Sequence, residues 1–184
     1  MKATCIIGSP HHDGSCAMLI DTLIQGMTEA GVRCKKYCIG ELRIHYCIGC
    51  KNCYESGECF QNDDVVQIVE DMRSSDVVVM AAPSYWAGVP GQLKTFFDRC
   101  TPYGNTDPNL PCPIKGIAIA VRAGVRAAEN ELILDSLEHF MGHMGIRTLR
   151  RISVCETDSP DDLLRKHPDI IDEVMEIGRN ITAL

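Results

Sequence analysis

Residues 76–83 read DVVVMAAP. Six apolar residues, Val77 to Ala82, run without a polar break between Asp76 and Pro83. A strand with one wet face would alternate, and a surface helix would show a longer, periodic pattern. The unbroken run predicts a strand covered on both faces, as the strands of a parallel sheet are. ATCII at 3–7 and KGIAIAV at 115–121 read the same way. Two further strands are predicted at VRCKKYC, 32–38, and IRTLRRISV, 146–154.

Helical patterns fall between these runs. From Ser15 to Ala30, the apolar Leu19, Ile20, Leu23, Ile24 and Met27 share one face, and Gly31 follows as a C-terminal glycine. Further helices are predicted over 63–75, where Asp63 and Asp64 sit at the positive end of the macrodipole, over 91–100 after Pro90, over 127–142 and over 160–182. Five strands alternating with helices predict an α/β three-layer sandwich. Its five-stranded parallel sheet is expected in the order 2-1-3-4-5, with residues 1–184 as one domain and a cysteine-rich insert after strand 2. Ligands of such sheets sit beyond the carboxyl ends of the strands, at the switch between strands 1 and 3. The loops after strands 1, 3 and 4 are therefore the ones expected to bind.

Composition narrows the partners. The chain has 184 residues, 45% hydrophobic and 23% charged, with a net charge of −7. Its longest basic runs are the pairs Lys35-Lys36 and Arg150-Arg151, so neither nucleic acid nor an anionic membrane is an expected partner. MKATCIIGSP lacks the long apolar run and small-residue cleavage site of a signal peptide, and no window approaches a membrane span. A cytoplasmic location is expected. Eleven cysteines in that compartment argue against a disulfide framework. Cys5, Cys16, Cys34, Cys38, Cys100, Cys112 and Cys155 are scattered and read as small hydrophobes.

The loop GSPHHDGSC, 8–16, joins a buried strand to a helix start. Gly8 and Gly14 allow sharp turns, Ser9 and Ser15 carry hydroxyls, and the helix start offers free N–H groups, all of which suit a phosphate. The loop fits neither G-x-G-x-x-G nor G-x-x-x-x-G-K-[ST]. His11 and His12 are candidate ligands or bases there, against the plainer reading of a polar strand–helix turn. The second loop, APSYWAGVPG, places Tyr85 and the only tryptophan, Trp86, after the most hydrophobic strand. Aromatic edges with backbone donors suit a flat ring, and packing is the alternative. RAGVRAAEN, 122–130, is the third loop. A phosphate in the first loop and a ring between the other two describe flavin mononucleotide (FMN) better than ATP.

CIGCKNCYESGEC, 47–59, holds four cysteines spaced C-x2-C-x2-C-x5-C. Four thiolates can hold a [4Fe–4S] cluster, with Cys59 as fourth ligand to Cys47, Cys50 and Cys53 because no second set exists. Successive x2 spacings crowd a tetrahedral zinc, which usually pairs two separated knuckles. A disulfide, a reactive thiol pair or an empty reduced loop are the other readings.

Together, GSPHHDGSCAML, CIGCKNCYESGECFQNDDV and APSYWAGVPGQLKTFFDR resemble the iron–sulfur flavoproteins of the NADPH-dependent FMN reductase group. That resemblance runs over most of the chain and implies a flavodoxin-like fold. It implies that Ser9, Ser15 and Cys16, with the loop backbone, bind the FMN phosphate, and His11 and Gly14 of the same loop join them as candidate cofactor-binding residues. Pro83, Ser84, Tyr85, Trp86 and Ala87 would line the isoalloxazine, with Arg122, Ala123 and Gly124 opposite. It also implies a cluster on the four cysteines and a homo-oligomer, a dimer or tetramer, with NAD(P)H or a ferredoxin as redox partner. Ser15-Cys16 departs from the Asn-Thr of many relatives, and His11-His12 from their basic residues. The expected function is electron passage between cluster and FMN. The alternatives are an NAD(P)H-dependent FMN or quinone reductase without a cluster, and a non-enzymatic flavodoxin-like carrier. No side chain is singled out as acid, base or nucleophile.

Overall fold

The computed structural model describes residues 1–105 and 112–183. Val77 to Ala82 form most of a strand, β3 (Val77–Pro83), and every one of the six is fully buried. Their side chains alternate between two cores. Val77, Val79 and Ala81 pack with Leu19, Leu23 and Val174 on one face, while Val78, Met80 and Ala82 meet Ile68, Leu93 and Leu134 on the other. That division is why the run has no polar break.

β3 is the centre of a five-stranded parallel sheet. β1 (Lys2–Ile7) pairs it with Ala3 opposite Val77, and β4 (Ile114–Val121) pairs it with Lys115 opposite Val77. β2 (Arg33–Cys38) and β5 (Ile146–Val154) close the edges, giving the order β2-β1-β3-β4-β5. The first face is covered by α1 (Ser15–Glu29), α6 (Pro160–Lys166) and α7 (Pro168–Arg179), and the second by α3 (Val65–Arg73), α4 (Gly91–Arg99) and α5 (Ala127–His143). α1 and α7 touch backbone to backbone. A Cβ on Gly26 would lie 2.4 Å from the Met175 carbonyl oxygen, and one on Gly178 would lie 2.6 Å from that of Leu23.

Two local expectations change. The stretch 160–182 is two helices, not one, with His167 between them at φ −134°, ψ 50°. Pro168 supplies no N–H and drives the residue before it out of helical geometry. The cysteine stretch between β2 and α3 carries a short helix, α2 (Asn52–Ser56), that its composition did not announce. Of the scattered cysteines, Cys5, Cys16, Cys38 and Cys100 are buried, while Cys34, Cys112 and Cys155 are half-exposed. No described helix is long and apolar enough to cross a membrane.

Candidate functional site

The carboxyl edge of the sheet carries the first site. Gly8 follows β1 and donates its N–H to the Ala81 carbonyl at 2.7 Å; a Cβ there would strike Leu93 Cδ2 at 2.5 Å. This close approach lets the loop turn at once into Ser9, whose Oγ accepts from the His11 N–H at 3.0 Å. α1 begins at Ser15 with Gly14 as its cap residue in extended geometry. No side chain caps the helix and no acidic residue lies in its first turn. Its first N–H groups lack intrahelical partners by helix geometry, so the end presents donors and positive potential. Ser15 Oγ lies 3.3 Å from Thr157 Oγ1. Burial pushes the Cys16 thiol up to about 12, so it adds no negative charge here.

These groups form one wall of an open cleft of about 420 Å³. Ser9, His11, Asp13, Gly14, Ser15 and Cys16 come from the loop after β1; Pro83, Ser84 and Tyr85 follow β3; Val121, Arg122 and Ala123 close β4 and its loop. Two polar atoms here are buried without partners among the described residues: Ser84 Oγ and Arg122 Nε. The Nη1 of Arg122 pairs with Glu129 at 2.6 Å and donates to the Arg126 carbonyl at 2.8 Å. A buried donor left unpaired costs about 1–3 kcal/mol. Two such atoms in one cleft fit a site made to receive a polar ring system.

Trp86, Ala87, Gly124 and His12 do not line this cleft. Tyr85 and Gly88 exchange backbone hydrogen bonds at 2.9 and 3.0 Å across a two-residue turn. The turn places Trp86 and Ala87 at φ 54° and 58°. That left-handed geometry turns the indole outward, fully exposed. His12 instead faces Glu41 at 3.4 Å. Gly124 packs against the Arg122 guanidinium, 2.7 Å from where a Cβ would stand. Conversely, Thr157, Asp158, Ser159 and Pro160 line the cleft and were not anticipated. Their signal was present: CETDSPDD follows β5, whose carboxyl end lies beside that of β4.

The second site is the cysteine stretch. Gly49, Lys51 and Gly57 all have positive φ, at 67°, 62° and 76°, and bend the chain around α2. Cys47, Cys50, Cys53 and Cys59 line one small hollow, with Ile48 and Phe60 beside them and Arg99 and Pro102 contributed by the end of α4 and the turn after it. Cys47 and Cys50 are exposed, and Cys53 and Cys59 half-buried. Among the described residues, no three His, Cys, Asp or Glu groups converge closely enough for a single ion. Thiolates of one tetrahedral zinc lie about 3.8 Å apart, from Zn–S bonds of ~2.3 Å. A four-iron cube takes its thiolates spread around it, so the set of four thiols about one hollow fits that group in donor type.

Behind the hollow sits a buried ion pair. Arg99 Nη1 donates to Asp63 Oδ2 at 2.6 Å, and Nη2 to Oδ1 at 3.2 Å. Burial pulls the Asp63 carboxyl up, but Arg99 and the N–H groups of His45 and Val65 outweigh it and hold the group below the usual aspartate value. The hollow and the cleft share no lining residue.

A five-stranded parallel sheet in this order, with helices on both faces and an open cleft at its carboxyl edge, defines a flavodoxin-like domain. The model of the NADPH-dependent FMN reductase family matches residues 1–158, and the chain belongs to that family. An iron–sulfur flavoprotein of Archaeoglobus fulgidus is 38% identical over 129 residues, 70% of this chain and 58% of that protein. One from Methanocaldococcus jannaschii is 33% identical over 102 residues, 55% of this chain and 53% of that protein. The chain thus matches a little over half the length of these curated relatives. The fold is shared with an NAD(P)H:quinone oxidoreductase from Methanothermobacter marburgensis, with a TM-score of 0.73 at 17% identity over 98% of this chain and 96% of that one.

Proposed function

We propose that this chain is a redox flavoprotein with FMN in the carboxyl-edge cleft and a [4Fe–4S] cluster on Cys47, Cys50, Cys53 and Cys59. The observation that carries the reading is the gathering of all four thiols on one hollow beside a buried cation. FMN, when bound, supplies exchange between one- and two-electron chemistry, and the cluster supplies single electrons. The chain's residues bind and orient. Ser9, Ser15 and the start of α1 hold the phosphate, with His11 and Gly14 at its rim. Ser84 Oγ and Arg122 Nε gain partners from the ring system, and Tyr85 covers its edge.

NAD(P)H or a ferredoxin is the proposed electron donor, and the assembly is a homo-oligomer. Tyr46, Ile48, Tyr54 and Phe60 surround the cysteine stretch and are each more than half exposed, which supports an apolar contact there. α4 runs nine residues from the Tyr85 side of the cleft to Arg99, about 13 Å at 1.5 Å per residue.

A second reading, an NAD(P)H-dependent FMN or quinone reductase without a cluster, is favoured by the family match. Anaerobic purification separates the two, with iron, acid-labile sulfide and FMN assayed per chain. About four irons, lost in each single Cys→Ala variant while FMN stays bound, supports the cluster. FMN without iron moves the function to the hydride-transfer reductase.

A further inference from the structure

Arg99 ends α4 and is almost wholly buried. Its Nη1 donates to the His45 carbonyl at 2.8 Å, and its Nη2 to the Gln61 carbonyl at 3.0 Å, besides the two bonds to Asp63. His45 lies two residues before Cys47, and Gln61 two residues after Cys59. One guanidinium therefore holds both ends of the thiol-bearing stretch, and Asp63 anchors the guanidinium. The planar fork of arginine suits this divided task, and a lysine ammonium does not.

One donor is left over. Arg99 Nε is buried and makes no hydrogen bond to a nitrogen or oxygen among the described residues, and the guanidinium interacts with the thiol of Cys59. Arg99 also lines the hollow with the four cysteines. An N–H kept dry beside four thiols, with no nitrogen or oxygen to accept it, is an incomplete arrangement until something in the hollow accepts it.

We propose that Arg99 is the positioning residue of the cysteine stretch, clamping its two ends and offering its Nε–H and charge to the thiolate-held group in the hollow. This rests on the cluster reading above. Hydrogen bonds and positive charge at cluster sulfurs stabilise the more negative, reduced form, so Arg99 raises the reduction potential as well as retention.

The test compares wild type with Arg99→Lys and with the double variant Arg99→Met/Asp63→Leu. The double variant removes the ion pair without leaving a lone buried charge. All are reconstituted anaerobically with ferrous iron and sulfide. Iron loss to a chelator and the midpoint potential are read, with FMN binding and thermal unfolding as fold controls. Expected is iron loss about 10-fold faster or more in both variants. The potential should shift negative, more so in the double variant. Folded variants with wild-type iron retention and potential overturn the role of Arg99 alone. A wild type that takes up no iron overturns the cluster reading, and this inference with it.

Discussion

Arg99 and Asp63 are 36 residues apart in the chain, yet form a two-bonded ion pair in which each side chain is only 1% exposed. Every oxygen of the Asp63 carboxylate is used: Oδ2 also accepts from the His45 N–H at 3.0 Å, and Oδ1 from the Val65 N–H at 3.3 Å. The pair joins α4, the start of α3 and the cysteine stretch at one point.

Asp63→Ala should destabilise the chain by about 3–5 kcal/mol, because it strands a guanidinium away from water. Urea denaturation followed by circular dichroism reads this directly. A loss under about 1 kcal/mol would mean that water reaches Arg99 and that the site is not dry.

Asp63 also sets an acid limb. The folded chain holds it below the usual aspartate value, so in that range the unfolded chain binds more protons. Its stabilisation is complete above the unfolded value of about 3.9 and drains away as pH falls through the folded value. Asp71, lowered by Lys35 and Tyr37 against its own burial, adds to the same limb. Urea midpoints measured from about pH 6 down to pH 3 should fall for wild type and fall less steeply for Arg99→Met/Asp63→Leu. Parallel curves would remove Asp63 as a source of the limb.

Ser15→Asp should weaken FMN binding at least tenfold, about 1.4 kcal/mol, and leave riboflavin binding unchanged. An acidic residue in a first turn favours the helix itself, so the chain remains folded. Flavin fluorescence titrations with both ligands decide. Equal losses for the two flavins would place the phosphate elsewhere.

Gly26→Ala should cost about 1–3 kcal/mol, although alanine is the better helix former. The added Cβ meets a carbonyl oxygen of α7 at 2.4 Å, and backbone cannot step aside as a side chain can. A thermal midpoint equal to or above wild type would show that α1 and α7 separate without penalty.

The parts of the fold that could be read from sequence were those where one local rule dominates. Val77 to Ala82 announced a strand buried on two faces, the carboxyl-edge rule pointed to the loops after strands 1, 3 and 4, with Ser9 and Ser15 in the first, and the family resemblance supplied Ser84 and Arg122. The stretch 160–182 is predicted as one helix, although Pro168 marks the break before α7. Thr157 to Pro160 lie outside the switch point between β1 and β3, and β5 brings its own loop to the same cleft. The outward turn of Trp86 depends on φ values that no residue type in YWAG dictates. The Arg99–Asp63 pair was beyond reach, since nothing local links two charges that meet only when three elements pack.

The turn at Tyr85–Gly88 has a practical consequence for anyone holding the purified protein. The chain has one tryptophan, and that indole stands fully in water on the turn that follows Tyr85. Its emission is therefore that of a solvated indole, uncontaminated by any other. A flavin bound in the cleft as proposed, beside Tyr85, would quench it by energy transfer. The molecule carries its own optical reporter on the turn that follows Tyr85.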